Sequence, residues 1–293
     1  MATTTQRPKL VAIVGPTASG KSELAMWVAT EFNGEIICAD SRTVYKGMDI
    51  GTAKPSAADQ KRVAHWGLDL LEPGERFTAA AFKKYAQAVI TDITARGKLP
   101  ILVGGTGLYI DGVIFNFGFL QDANLAKRKK LEAMSTKSLQ DLVNEKGLPM
   151  PFNLKNRRHL IRTIETKGQR GSKKKNLPNG VILVGILPSD ELLRKRISRR
   201  AKQIFVDGVI NETAELTSQY GKGALEATGG IVYKISLEIL EGKITQAEAI
   251  EKFQKADWQY ARRQKTWFRR NKFIHWFSEP EQAFRYVKTQ LNT

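Results

Sequence analysis

Short apolar runs alternate with amphipathic stretches through much of this chain. Leu10-Val11-Ala12-Ile13-Val14 is five apolar residues long, the length of a buried strand. Similar runs occupy 35–39, ending at Asp40, 99–103, leading into Gly104-Gly105-Thr106-Gly107, and 181–187. Between them lie stretches with apolar residues on one side, at 23–29 and at 77–95, the latter entered through Thr78. From 189 onward helical patterns dominate, at 191–201, 209–220, 231–240 and 246–270. Strands alternating with helices predict an α/β fold: a mainly parallel sheet flanked by helices. Between 116 and 154 the strand pattern stops and two short helices rich in lysine and arginine are expected, at 123–134 and 138–146. We therefore expect a core formed by 1–115 and 155–293 and a small helical insertion domain at 116–154. The segment 167–180, with Lys173-Lys174-Lys175, reads as a loop, either a solvated face or one that meets a phosphate backbone.

The first strand runs into Gly15-Pro16-Thr17-Ala18-Ser19-Gly20-Lys21-Ser22, which fits G-x-x-x-x-G-K-[ST] at every fixed position. Strand, glycine loop and helix start together make an anion cradle, with loop N–H groups and the helix dipole aimed at one spot. Lys21 adds a cation, and the Ser22 hydroxyl is the candidate Mg²⁺ ligand. The core is thus P-loop NTPase-like, and a di- or triphosphate is its expected ligand; whether a phosphoryl group moves stays open. In such sheets ligands bind at the carboxyl ends of the strands. The phosphate loop, Asp40 and the Gly-Gly-Thr-Gly segment each follow a strand, so all three should meet on one rim.

Charge changes the picture next. The 293 residues carry 47 Lys and Arg against 29 Asp and Glu, a formal net charge of +18. That excess attracts polyanions, nucleic acid first among them, although a general solubility bias would produce it too. A single cysteine, Cys38, excludes an internal disulfide framework or a cysteine zinc site and fits a reducing, cytoplasmic setting. No apolar run approaches the ~20 residues of a membrane span, and the N-terminus lacks the apolar core of a secretion signal.

Two further segments carry chemistry. Asp40 opens Asp40-Ser41-Arg42-Thr43-Val44-Tyr45-Lys46-Gly47-Met48-Asp49-Ile50-Gly51-Thr52-Ala53-Lys54-Pro55. A strand-end carboxylate beside a phosphate loop can hold Mg²⁺, take a proton from a nucleophile, or merely cap a turn. Near the C-terminus, residues 257–270 interleave aromatics with cations, a composition that suits splayed RNA bases and phosphates and equally an amphipathic helix packed on the sheet. On that second reading Trp258, Ala261, Lys265 and Phe268 face the sheet and Trp267 is a core residue.

Taken in order, G-P-T-A-S-G-K-S, A-D-S-R-T-V-Y-K-G-M-D-I-G-T-A-K-P, V-G-G-T-G-L-Y and R-R-Q-K-T-W-F-R resemble the tRNA dimethylallyltransferases, over nearly the whole chain. The resemblance implies transfer of a dimethylallyl group from dimethylallyl diphosphate to the N6 amine of adenosine 37 in the tRNA anticodon stem-loop, with Mg²⁺, by a monomer. It implies that the octet Gly15–Ser22 and Arg200 bind the diphosphate, that Asp40 is the general base, and that Thr106 sits near the bridging oxygen. Segments touching tRNA would be Asp40, Ser41, Arg42 and Thr43; Arg158 and Arg162; Tyr233 and Lys234; and Arg262, Arg263, Gln264, Thr266, Trp267 and Arg269, with Arg128 a further basic position in the insertion. This chain departs from the family at Thr43, where many relatives have glutamine, at His65-Trp66, where a His-His pair is usual, and at Ile231-Val232-Tyr233-Lys234-Ile235, which lacks a glycine. Competing readings are a small-molecule or nucleotide kinase, an adenylate isopentenyltransferase acting on free nucleotide, and a non-catalytic RNA-binding protein with a relic loop.

Overall fold

A computed structural model describes residues 10–120, 124–169 and 171–292. The chain forms two compact units, Met1–Phe115 with Asn176–Thr293, and Asn116–Lys175. The larger unit contains β1 (Leu10–Val14), α1 (Lys21–Glu31), β2 (Gly34–Cys38), α2 (Ala57–Arg62), β3 (His65–Trp66), α3 (Ala79–Ala95), β4 (Leu99–Gly104) and α4 (Gly107–Ile114). The smaller unit holds α5 (Leu125–Ala133), α6 (Thr136–Glu145) and α7 (Arg157–Glu165). The larger unit resumes with β5 (Val181–Ile186), α8 (Asp190–Val206), α9 (Val209–Tyr220), α10 (Lys222–Thr228), α11 (Ile231–Leu240), α12 (Gln246–Phe268), β6 (His275–Phe277) and α13 (Pro280–Asn292).

Every pairing in the six-stranded sheet is parallel, in the order β3-β2-β4-β1-β5-β6. The four strands read from apolar runs are its centre. All five residues of β1 are buried, as parallel strands covered on both faces require. Register puts Val14 opposite both Gly104 and Gly185, so β1, β4 and β5 end level and their following loops share one rim. The edge strands β3 and β6, together with α2, α4, α10 and α13, lie outside the expected elements. Only two and three residues long and mixed in polarity, β3 and β6 have no period to detect.

One apolar cluster fills the space between the sheet and α1 and α13, with Val11, Ile13, Leu24, Val28, Ile101, Val184 and Val287 buried. A second joins Val44, Tyr45 and Met48 to α8, α9, α11 and α12. There Glu212 accepts the backbone N–H of Asp49, Ile50 and Gly51 at 3.0, 2.7 and 3.0 Å. Lys54, its side chain almost wholly buried, pairs with Asp49 and, at 2.6 Å, with Asp69. Much of the long motif after Asp40 is therefore a folded loop stapled from within. Thr78 caps α3 as expected, accepting from Ala81 N–H. Among the described residues, no helix is long and apolar enough to cross a membrane.

The smaller unit corrects the expected insertion limits: it ends at Lys175, not at 154. The reason is α7, whose Leu160, Ile161 and Ile164 form one core with Leu131, Leu139 and Val143 of the preceding helices. The lysine-rich loop belongs to this unit as well, with Gly118 N–H bonded to the Ser172 carbonyl at 2.8 Å.

Candidate active site

The phosphate loop leaves β1 at Gly15, whose φ of +149° and close approach to the Ile186 carbonyl leave no room for a side chain. Gly20, in the left-handed region, stands at the N-cap of α1. Lys21 folds back over the loop, donating to the Pro16 carbonyl at 2.6 Å. Burial pushes its pKa down to about 8; Arg200 pushes the same way, while Asp40 and Asp257 oppose both. Ser19 is fully buried, and its hydroxyl has no partner. Arg200, on α8, donates from Nη1 to the Thr17 hydroxyl and, at 3.1 Å, to Asp257 Oδ2 on α12. Arg196, one turn earlier, donates to the Ser19 carbonyl at 3.0 Å.

The second and third segments arrive at the same rim. Asp40, just beyond β2, accepts the Arg42 N–H at Oδ1, 2.7 Å away, in a local turn. Ser41 N–H donates to Thr106 Oγ1 at 3.2 Å, and Thr106 N–H to the Ala39 carbonyl at 3.3 Å. Asp40 and Thr106, sixty-six positions apart in sequence, are thereby tied together next to the loop that carries Lys21. An open cleft of about 860 Å³ adjoins the loop, lined by Ala18, Gly20, Lys54, Arg196, Arg199 and Arg200 among others. Its lining is mixed in charge: Arg196, Arg199 and Arg200 stand on α8, while Glu23, Asp49, Asp69 and Asp207 also border it and Lys54 is taken up by Asp49 and Asp69.

Helix α12 backs the whole rim. Gln264 accepts the Thr17 N–H at Oε1, 2.8 Å, and donates from Nε2 to the Gly105 carbonyl at 3.0 Å. One N–H of the anion cradle is thus already engaged within the protein. Tyr260, a turn before Gln264, has its hydroxyl pushed up to about 12 by burial, with the Asp40 charge adding to the shift and Arg42 and Thr106 opposing it. Neither Asp257 nor Tyr260 stood out in the sequence. Both lie on the helical stripe that includes Ala261 and Gln264, which is the signal that marks them.

The expected RNA-contacting residues divide. Arg262, Arg263, Thr266 and Arg269 are exposed on α12, as is Lys234 on α11. Trp267 is exposed as well, so the core assignment for it is corrected; its indole N–H donates to Asp111 Oδ2 at 2.8 Å. Gln264 is a correction, because it is buried with both ends of its amide held by backbone. Tyr233 is another: it is fully buried, and its hydroxyl donates to Glu212 Oε1 at 2.7 Å. Thr43 is a third, buried with its hydroxyl facing the interior, while Ser41 and Arg42 are half-buried. His65 holds the Val63 carbonyl through Nδ1 at 2.8 Å, a structural role. Within the smaller unit, Arg158 is exposed. Arg162 reaches Glu165 at 3.5 Å, and Arg128 pairs with Glu132 at 3.0 Å and with the buried Glu165 carboxylate at 3.2 Å.

A metal would find few ligands of the protein's own. No cluster of three or more His, Cys, Asp or Glu side chains suited to a metal occurs among the described residues. Ser22 is exposed at the start of α1, and Asp40 stands at the same rim. That sparse oxygen set fits Mg²⁺ held mainly by substrate phosphates and water.

Comparison with known proteins agrees with this arrangement. The family described as IPP transferase matches residues 43–271. A tRNA dimethylallyltransferase of Staphylococcus epidermidis is 37% identical over 98% of this chain and 92% of its own length. One of Pelotomaculum thermopropionicum is 36% identical over 94% of this chain and 92% of its own. The crystal structure of a full-length tRNA isopentenylpyrophosphate transferase of Bacillus halodurans superposes with a TM-score of 0.73 at 33% identity, covering 98% of this chain and 97% of that one. With its phosphate loop, strand-end aspartate and Gly-Gly-Thr-Gly turn meeting on one rim of a parallel sheet, this chain belongs to the IPP transferase family.

Proposed function

We propose that this protein transfers a dimethylallyl group from dimethylallyl diphosphate to the N6 amine of adenosine 37 in tRNA, releasing diphosphate, as a cytoplasmic monomer. The observation that carries the reading is the bond between Ser41 N–H and Thr106 Oγ1. It sets a candidate base, Asp40, and a hydroxyl on the same rim as an anion cradle. Relatives at 33–37% identity carry the name tRNA dimethylallyltransferase.

In the proposed step the allylic C–O bond breaks and its electron pair stays on the diphosphate. The adenine nitrogen bonds to the allylic carbon and loses a proton to the Asp40 carboxylate. Charge grows on the leaving group, and Lys21, Arg200 and loop N–H groups would stabilise it more in the transition state than in the ground state. Mg²⁺, held by the Ser22 hydroxyl and the diphosphate oxygens, would supply further neutralisation of that charge. A positioned carboxylate base typically contributes ~10²–10⁴-fold to rate. The purine must first leave the anticodon-loop stack, as in other base-modifying enzymes. Exposed Lys234, Arg262, Arg263 and Arg269 supply cations for the RNA backbone.

The test is direct. Unmodified tRNA, dimethylallyl diphosphate and Mg²⁺ are incubated with the protein, and the digested nucleosides are weighed. The expected product is adenosine heavier by one dimethylallyl group. Consumption of ATP with no such product would overturn the reading in favour of a kinase.

A further inference from the structure

Asp257 is a carboxylate in the wrong surroundings for a surface charge. It lies on α12 with a side chain 6% exposed. Nearby Ala261 belongs to an apolar cluster with Leu193 and Ile197 of α8, flanked by Ala18 and Trp258. Burial raises its pKa, against the pull of Arg200 and Lys21. A buried ion pair seldom adds net stability over apolar packing of similar volume, so stability is a poor reason for this one. Its partner supplies a better one. Arg200 Nη1 donates at once to Asp257 Oδ2, at 3.1 Å, and to the Thr17 hydroxyl in the phosphate loop. Two turns further along α12, Gln264 takes the N–H of the same Thr17. Lys265 pairs with Asp190 at 2.6 Å, and Arg194 stacks 3.8 Å over Trp258, two further contacts between α12 and α8.

We propose that Asp257 is a positioning residue for diphosphate binding, bracketing the Arg200 guanidinium against Thr17 and so fixing where that cation meets the phosphates. An arginine side chain has several rotatable bonds, and an unbracketed guanidinium would have to be ordered when the anion arrives. Asp257 pre-orders it by accepting from the same Nη1 that meets Thr17. This assignment rests on the reading of the cleft as a diphosphate site.

The experiment compares Asp257→Ala, Asp257→Asn, Arg200→Ala and the double variant Asp257→Ala/Arg200→Ala. Binding of inorganic diphosphate with Mg²⁺ is measured by calorimetry, alongside KM for dimethylallyl diphosphate, KM for tRNA and thermal melting. Asp257→Ala is expected to weaken diphosphate binding and raise the donor KM by about tenfold, with the tRNA KM within about twofold. Asp257→Asn, whose carbonyl still accepts from Nη1, is expected to recover affinity to within about threefold. Once Arg200 is alanine, removing Asp257 should cost less than about twofold more. If Asp257→Ala does not fold, Asp257→Asn alone and combined with Arg200→Ala carries the comparison, its smaller loss vanishing in the combination. Donor affinity indifferent to Asp257, or a loss undiminished without Arg200, overturns the assignment. So does a loss shared equally by the tRNA KM. Failure of the unsubstituted protein to bind diphosphate removes the underlying reading as well, whereas binding that ignores Asp257 removes this assignment alone.

Discussion

Gln264 Oε1 accepts the backbone N–H of Thr17 at 2.8 Å, joining residues 247 positions apart. The same amide donates to the Gly105 carbonyl at 3.0 Å, so one buried side chain ties the phosphate loop to the turn that carries Thr106. Replacing Gln264 by Leu or Met would leave a part-buried N–H and a buried carbonyl without this partner. Each unsatisfied group costs about 1–3 kcal/mol. Gln264→Met is therefore expected to lower the melting temperature and to reduce turnover by at least about tenfold, with tRNA affinity within a few-fold. Calorimetric melting, single-turnover rates and filter binding check the three parts; a selective loss of tRNA affinity would return Gln264 to the RNA surface.

This residue also shows where the sequence was readable and where it was not. The central strands were legible because parallel strands buried on both faces are predominantly apolar, as β1, β4 and β5 are and as β2 is after Glu35. The rim was legible because each motif directly follows such a strand. Motif membership, however, does not separate residues that touch a ligand from those that hold the ligand-touching segment in place. Tyr233, Thr43 and Gln264 sit inside recognisable motifs yet point inward. For Gln264 the helical phase held the answer: it lies three residues after Ala261 and four before Phe268, on the buried stripe of α12. The insertion limit was missed for the opposite reason. The amphipathic face of α7 is plain, but only the tertiary structure shows which core it joins.

Asp40→Asn keeps the side-chain carbonyl oxygen that the Arg42 N–H needs while removing the basic carboxylate. Turnover is expected to fall by about 10²–10⁴-fold. Dissociation constants for tRNA and for diphosphate should stay within a few-fold, because the turn and the cradle persist. Rapid-quench measurement of nucleoside modification gives the first quantity and equilibrium binding the second. A near-normal rate would take the base role from Asp40.

Tyr233→Phe tests whether that residue serves the fold or the RNA. Its hydroxyl donates to Glu212, the carboxylate that also gathers the N–H groups of Asp49, Ile50 and Gly51. The variant is expected to lose about 1.5–3 kcal/mol of stability, the value of a hydrogen bond to a charged group, with unchanged tRNA affinity. Urea denaturation and filter binding separate the two.

Glu35 is expected to contribute to the acid limit of the fold. Its side chain is 3% exposed and accepts from Arg96 at Nη2, 2.8 Å, from Lys98 at 2.7 Å and from Trp66 at 2.8 Å. Arg96 above all holds its pKa down at about 2, from a usual 4.5. A carboxylate with a depressed folded pKa stabilises the protein fully above its unfolded pKa. That stabilisation is lost as pH falls from about 4.5 through about 2. Because Arg96 and Lys98 are more than a third exposed, solvent screens the pairs, and the contribution is about 1–2 kcal/mol. Glu35→Gln should be less stable than the parent at pH 7 and should converge on it near pH 2, by urea denaturation at each pH. A constant gap across that range would dismiss the linkage.

The exposed face of α12 is the remaining question of charge. Arg263 and Arg269 present their guanidinium groups to solvent, and Arg263 lies 5.7 Å over the Tyr260 ring, on the helix whose buried stripe carries Asp257 and Gln264. A helix that fixes the loops with one face and offers cations with the other can align an RNA on the site it supports. Each phosphate neutralised by such a side chain releases condensed counterions, so the logarithm of the binding constant falls with the logarithm of salt. Arg263→Ala and Arg269→Ala should each weaken tRNA binding at low salt and reduce that slope by up to about one unit, while turnover at saturating tRNA stays within a few-fold. Titrations across a range of KCl concentrations measure the slopes. If both variants keep the parent slope, these arginines meet no phosphate, and the RNA path must run over Lys234 and other cations instead.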